Sequence, residues 1–371
     1  MMTTRSYPLA RQRGVTLVEL MVALLLGLLI TGGVLQVFAA NRASYEFNDG
    51  LSRLQENGRF ALDTLAYHVR LAGYFGCVWG VPVTNNLNGP TSFAFKFDEG
   101  LSGFEANNTD VGDTFAAGAK DPGNSATLTN WTPNLPADLT NSVIPGSDVI
   151  VVRNGSSTAH ALITPFADSN SVFASAAVAD YAVGDIGVVA DCQQASVFQV
   201  TAVSASGGGI QVDHVAAGTP GNAMASWGTD QEYGNGAELL RAETWVYYVG
   251  QRVGGGPPSL FQRRLEVDSS TTTAALAPEE LVANVDTMQV LYGIDAALDG
   301  AVDQYVAADA VTDWSQVVTV RVSLVMRSPE EYGTETDDRT YDVNGTIFNP
   351  VDDRRERHVF TSTIALRNRL P

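Results

Sequence analysis

Residues 15 to 40, VTLVELMVALLLGLLITGGVLQVFAA, form an apolar run interrupted by one charge, Glu19. As a helix this run would extend about 39 Å, enough to cross a bilayer core of about 30 Å. From residue 41 the pattern turns amphipathic. Leu51, Leu54, Gly58, Ala61, Leu65, His68 and Ala72 recur at steps of three and four, and Leu62 and Val69 widen the stripe. Arg53, Gln55, Glu56, Arg59, Asp63 and Arg70 fill the other faces. No proline falls between Pro8 and Pro82, so the pattern predicts one helix from about residue 16 to 72, with Gly73 as its C-cap. Gly32 and Gly33 are its weakest point, each costing about 1 kcal/mol against alanine.

Residues 74–147 change character again. Stretches such as NNLNGPTS and DPGNSATLTNWTPNLPADLT predict long irregular loops, with a short hairpin around Phe93 to Phe97 and Trp131 tucked into the fold. Over 148–371 strands dominate. DVIVVR, DIGVVADC, SVFQVTAV and IQVDHV are β-branched runs bounded by turn residues, with Gly207 to Gly209 joining the last two as a hairpin. WVYYVG and SLFQRRLEV flank a GGGPP loop in the same manner, and Val318, Val320, Val322, Leu324 and Met326 alternate with Thr319, Arg321 and Ser323. Sequential strands of this kind pair antiparallel and need a cover for their apolar face. The amphipathic half of the helix, residues 41–73, supplies one, so the predicted fold is α+β: a long N-terminal helix packed on a C-terminal antiparallel β-sheet head.

The formal charge of -19 makes the surface repel phosphate backbones, so no nucleic-acid partner is expected. Arg5, Arg11 and Arg13 offset this only before Gly14. Cys77 and Cys192 are the two cysteines, without the paired spacing of a zinc or redox site. If the body lies outside the cytoplasm they are expected to form a disulfide; otherwise they are two buried thiols.

Basic residues followed by an apolar run direct membrane insertion with the start on the cytoplasmic side. A cleaved secretory signal, with Val37, Phe38 and Ala39 as its cleavage pattern, and an ordinary anchor both leave Glu19 without a use, although an acid there costs about 2.5–3.5 kcal/mol. A third reading employs it. A cut between Gly14 and Val15 creates a positive amine at Val15, and Glu19, four residues on, can pair with the amine of a neighbouring helix.

Gly14 followed by Val15, Thr16, Leu17, Val18 and Glu19 resembles the prepilin signal of type IV pilins and type II secretion pseudopilins. The first mature residue of that family is usually Phe and is Val here. The resemblance implies cleavage after Gly14 by an inner-membrane prepilin peptidase, which makes residues 1–14 a leader, and N-methylation of Val15. LSRLQENGRFALDTLAYHVRLAGYFGC at 51–77 is similar to the PilW-type minor pilins, as are VFQVT at 197–201, YYVGQR at 247–252, MQVLYGID at 288–295, DWSQVVTVRVSL at 313–324 and ALRNR at 365–369. For such a protein the resemblance implies an inner-membrane subunit with a periplasmic head, later taken into the pilus near its tip. Its implied partners are other minor pilins, the major pilin, the assembly platform and a tip adhesin. A J-type pseudopilin of type II secretion and a pilus-displayed adhesin are the alternatives.

Other residues suggest chemistry and yield none. Asp295, Asp299, Gly300 and Asp303 lack the alternate-residue spacing of a calcium loop and read as a turn. His68, His160, His214 and His358 are scattered, with His68 a neutral residue at the helix edge. Ser259 lacks a nucleophile-elbow context, and the glycine runs at 207–209 and 254–256 precede no helix. Arg354, Arg355 and Arg357 with Asp352, Asp353 and Glu356 read as a solvated mixed-charge loop. No enzymatic activity and no cofactor or metal is expected, so the function is placed in assembly.

Overall fold

The computed structural model describes residues 14–76, 82–116, 130–139, 141–163, 170–224, 232–234, 236–252, 255–268, 270–332, 335–366 and 369. One apolar helix, Leu17–Arg70, is followed by a largely β region. The chain divides into two compact units, residues 1–52 and 53–371.

In the first unit the helix is apolar on every side from Leu20 to residue 40, and its most hydrophobic window has none of its residues buried. Such a surface has no stable partner in water, which is the condition of a membrane or filament-core segment.

In the second unit the helix continues to Arg70 with the predicted stripe facing inward. Leu54, Gly58, Ala61, Leu62, Leu65, His68 and Val69 are buried, whereas Arg53, Gln55, Glu56, Arg59, Asp63 and Arg70 are exposed. Gly73 adopts φ 73°, the left-handed conformation that ends a helix without a Cβ penalty.

The strands form several sheets rather than one. The largest runs in the order Val83–Asn85, Ala195–Gln199, Ile186–Ala190, Glu238–Gln251, Val149–Gly155, Leu101–Ala106 and Trp131–Thr132, and a hairpin of Pro258–Asp268 and Thr273–Ala283 pairs with Glu238–Gln251. A second, four-stranded sheet has the order Gln304–Val306, Val285–Ile294, Val317–Arg327 and Arg357–Ala365. The helix stripe shares a core with both, meeting Ile150, Val152, Tyr247 and Val249 of the first and Met288, Val290, Val320 and Val322 of the second. Alternate residues of the same strands, Val149, Val151, Val246 and Tyr248, enter another core with Trp131. Burial on both faces explains why these strands read as continuous apolar runs.

Several expectations need correction. Residues 74–147 are not only loops, because Leu101–Ala106 is a buried sheet strand, and Phe93–Phe95 is a 3-10 turn rather than a hairpin. Trp131 is buried as predicted, its Nε1 donating to the Ser147 carbonyl at 2.9 Å. Pairing is not purely antiparallel: Val83–Asn85 joins Ala195–Gln199 in parallel, and Thr346–Asn349 joins Thr114–Ala116 likewise. SVFQVTAV splits between two sheets, and its last two residues open the strand Ala202–Ser206, which forms the predicted hairpin with Gly209–Asp213. Ser323 is buried because Asn344, at φ 60° in the tight turn joining Tyr341–Val343 to Thr346–Asn349, accepts from its hydroxyl at 2.9 Å.

Candidate functional site

Gly14, Val15 and Glu19 lie within one turn of the helix start, and Val15 is exposed. Local hydrogen bonding fixes that start. The Glu19 amide donates to Thr16 Oγ1 at 3.3 Å, while Glu19 Oε2 accepts from the Thr16 amide and hydroxyl, both at 3.0 Å. This reciprocal arrangement satisfies donors that a helix otherwise leaves unpaired at its N-terminus. It corrects the reading that Glu19 has no use in a lone helix: the carboxylate caps its own helix. The Thr16-x-x-Glu19 spacing carried that signal.

The two cysteines are not described together. Cys77 falls outside the described residues, and Cys192 is exposed in the turn between Ile186–Ala190 and Ala195–Gln199.

The four histidines do not converge. His68 is 8% exposed, bonded through Nδ1 to the Tyr247 hydroxyl and stacked on Trp245 with ring centroids 3.9 Å apart. It is therefore inside the helix–sheet interface rather than at an edge. Burial holds its pKa down at about 4, so it is neutral at physiological pH. His160 is half-buried, His214 buried and His358 exposed.

The acidic loop at 295–303 spends its carboxylates on backbone amides. Asp295 accepts from Asp299 and Gly300, and Asp303 from Ala296 and Ala297, the geometry of the predicted turn. The arginine cluster departs from its prediction. Arg354 is exposed and pairs with Glu331, whereas the Arg357 side chain is 1% exposed and contacts Asp286 at 2.8 Å, Asp337 at 3.2 Å and Asp353 at 2.7 Å. Asp286 is also 3.3 Å from Arg327. Only Asp353 lies near Arg357 in sequence, so the sequence pattern held no sign of this buried hub.

Residues 9–35 match the model of the prokaryotic N-terminal methylation motif, and residues 246–368 match that of the type IV pilus-assembly protein W, PilW. Together the two matches support a PilW-like minor pilin of type IV pilus assembly. The PilW match covers about a third of the chain and leaves out the 51–77 run on which the resemblance partly rested. No curated protein and no solved structure matches the chain. The matched pilin families are structural rather than enzymatic, and they imply interaction with other pilus components. The PilW-matched segment contains the helix-covered four-stranded sheet and the Arg357 hub, and the methylation motif contains the Thr16–Glu19 cap.

Proposed function

We propose that this minor pilin primes pilus polymerisation in a tip complex with other minor pilins and the major pilin. The observation that carries the reading is the exposed apolar surface of the helix as far as residue 40, which bears one acid, Glu19, at its start. Residues 1–14 are a leader removed by the prepilin peptidase after Gly14, and Val15 is then methylated. Residues 15–40 hold the subunit in the inner membrane, with residues 41–73 and the β-rich remainder, 74–147 and 148–371, on the periplasmic side. On incorporation, the Glu19 carboxylate exchanges its internal cap for the Val15 amine of a neighbouring subunit, neutralising both charges in an apolar core. The assembly platform and a tip adhesin are further partners.

A Cys77–Cys192 disulfide belongs to this reading. What supports it is the proximity of flanking residues. A Cβ built on Gly76 would lie 3.4 Å from the Ala190 side chain, and the Ala195 amide donates to the Pro82 carbonyl at 3.0 Å. The chain on both sides of Cys77 thus lies against the chain around Cys192, and closing so long a loop would stabilise the fold by roughly 4–5 kcal/mol.

Mass spectrometry of the membrane-extracted protein from cells with and without the prepilin peptidase tests the proposal. The expected product begins at Val15 only when the peptidase is present. A chain beginning near Ala40, or the same N-terminus in both strains, would sink it.

A further inference from the structure

Asp148 and Glu105 form a buried pair of acids at the seam between the two large sheets. Leu101–Ala106 pairs antiparallel with Val149–Gly155 in the register Phe104 to Val149, so one further step sets Glu105 opposite Asp148. Asp148 is 1% exposed and Glu105 3%. Both Asp148 oxygens are occupied: Oδ1 accepts from the Ala106 amide at 3.0 Å and Oδ2 from the Val290 amide at 2.8 Å. These bonds join Leu101–Ala106 of the large sheet to Val285–Ile294 of the PilW-matched sheet. Next to them, the Asp148 amide donates to the Met288 carbonyl at 2.9 Å and Thr287 Oγ1 to the Gly146 carbonyl at 2.7 Å.

Glu105 is placed differently. Its Oε1 accepts from Thr109 Oγ1 at 3.2 Å, and its buried Oε2 has no partner among the described residues. The Tyr292 hydroxyl, fully buried and also without a partner there, lies directly over Gly103, whose side of the strand Glu105 shares. The other charges facing Glu105 are Asp148, Asp110 and Asp309. All are acids, and among the described residues no ion pair involves Glu105 or Asp148. Two ionised carboxylates side by side in this interior, without a cation, would cost several kcal/mol. The two amide donors keep the negative charge on Asp148, which leaves the proton on Glu105.

We propose that Glu105 is a neutral carboxylic acid in the folded head and that its proton is a latch, holding the seam between the large sheet and the PilW-matched sheet closed until alkaline pH removes it. Burial, followed by the neighbouring Asp148, raises the Glu105 pKa, and burial raises that of Asp148. A carboxyl group whose folded-state pKa is raised contributes stability that is full below its ordinary value and is lost progressively as pH climbs from there to the folded value, where the buried group itself ionises. The seam therefore loosens on the alkaline side of neutrality.

The test is thermal unfolding of the full chain in detergent micelles between pH 6 and 9, for wild type, Glu105→Gln and Asp148→Asn. Glutamine reproduces the neutral acid in shape and cannot ionise. Wild-type Tm is expected to fall by about 5–10 °C from pH 7 to pH 9, while Glu105→Gln stays level over those two units, so that its Tm exceeds that of wild type by more at pH 9 than at pH 7. Asp148→Asn, which replaces an acceptor of two amides with a group having one acceptor atom, is expected to lower Tm at every pH. An alkaline fall that persists in Glu105→Gln, a wild type level to pH 9, or full recovery of wild-type Tm at pH 9 on adding calcium would each overturn the proposal. The last outcome would mean that a cation, not a proton, joins the acids. Should Glu105→Gln fail to fold, infrared difference spectra of wild type across the same pH range decide the matter. A buried carboxylic-acid carbonyl band that disappears on the alkaline side supports the latch, and its absence at pH 7 overturns it.

Discussion

Arg357 donates through Nε to Asp286 Oδ2 at 2.8 Å, with 1% and 5% of the two side chains exposed, across 71 residues of sequence. The bond joins the start of Arg357–Ala365 to the start of Val285–Ile294, two strands that flank Val317–Arg327 on opposite sides. Asp337 and Asp353 complete the charge balance around the same guanidinium. Replacing Arg357 with Met would leave three acids buried or half-buried without their shared cation. A loss of about 3–5 kcal/mol is expected, read from urea denaturation of the full chain in micelles. The exposed Arg354→Met is the control and is expected to change stability by less than about 1 kcal/mol.

Gly58 is small because Phe360 crosses the helix there. A Cβ at Gly58 would come within 2.7 Å of the Phe360 ring. Gly58→Leu is expected to destabilise the head by about 1–3 kcal/mol through overpacking. Pairing it with Phe360→Ala should recover part of the loss, which a double-mutant cycle measures as a coupling between the two positions.

His68 makes the helix–sheet contact sensitive to acid. Its folded-state pKa, about 4, lies below the ordinary 6.5 because burial disfavours the imidazolium. Above pH 6.5 the neutral ring carries its full contribution; as pH falls from 6.5 towards 4 the unfolded chain binds a proton that the folded chain refuses, and stability declines. His68→Phe should flatten that part of the stability profile. The check is unfolding free energy against pH for both proteins.

Thr16 and Glu19 separate capping from assembly. Thr16→Ala removes the side chain that receives the Glu19 amide, with an expected cost of about 1 kcal/mol at the helix start, visible as faster amide exchange over residues 17–20. Glu19→Gln retains an oxygen acceptor for the cap but removes the charge. It is expected to insert and to be processed after Gly14 yet to be missing from sheared filaments, as assayed by immunoblot. Filaments containing Glu19→Gln at wild-type level would refute the proposed charge pairing.

The extent and inward face of the helix were legible because a 3.6-residue period depends only on neighbours along the chain: Leu54, Ala61, Leu65 and Val69 had to share a side. The same locality made the hairpin at Gly207 and Gly208 and the Asp295 turn readable. The 101–106 strand was harder to see, since LSGFEA has no β-branched residue and owes its place to the Val149–Gly155 strand beside it.

By itself the sequence determined the N-terminal helix, the single acid in its apolar run at 15–40, the prepilin-like signal and the β-rich character of the chain beyond the helix. These rest on composition and short-range periodicity, which the chain carries whether or not it is folded. Only the tertiary structure decided how the strands divide into sheets, that Arg357 is a buried hub rather than a solvated charge, and that Glu105 faces Asp148. Each of those depends on which distant segments meet, and on whether water remains between them. A charge that costs little in solvent becomes a constraint on the fold once its surroundings are protein.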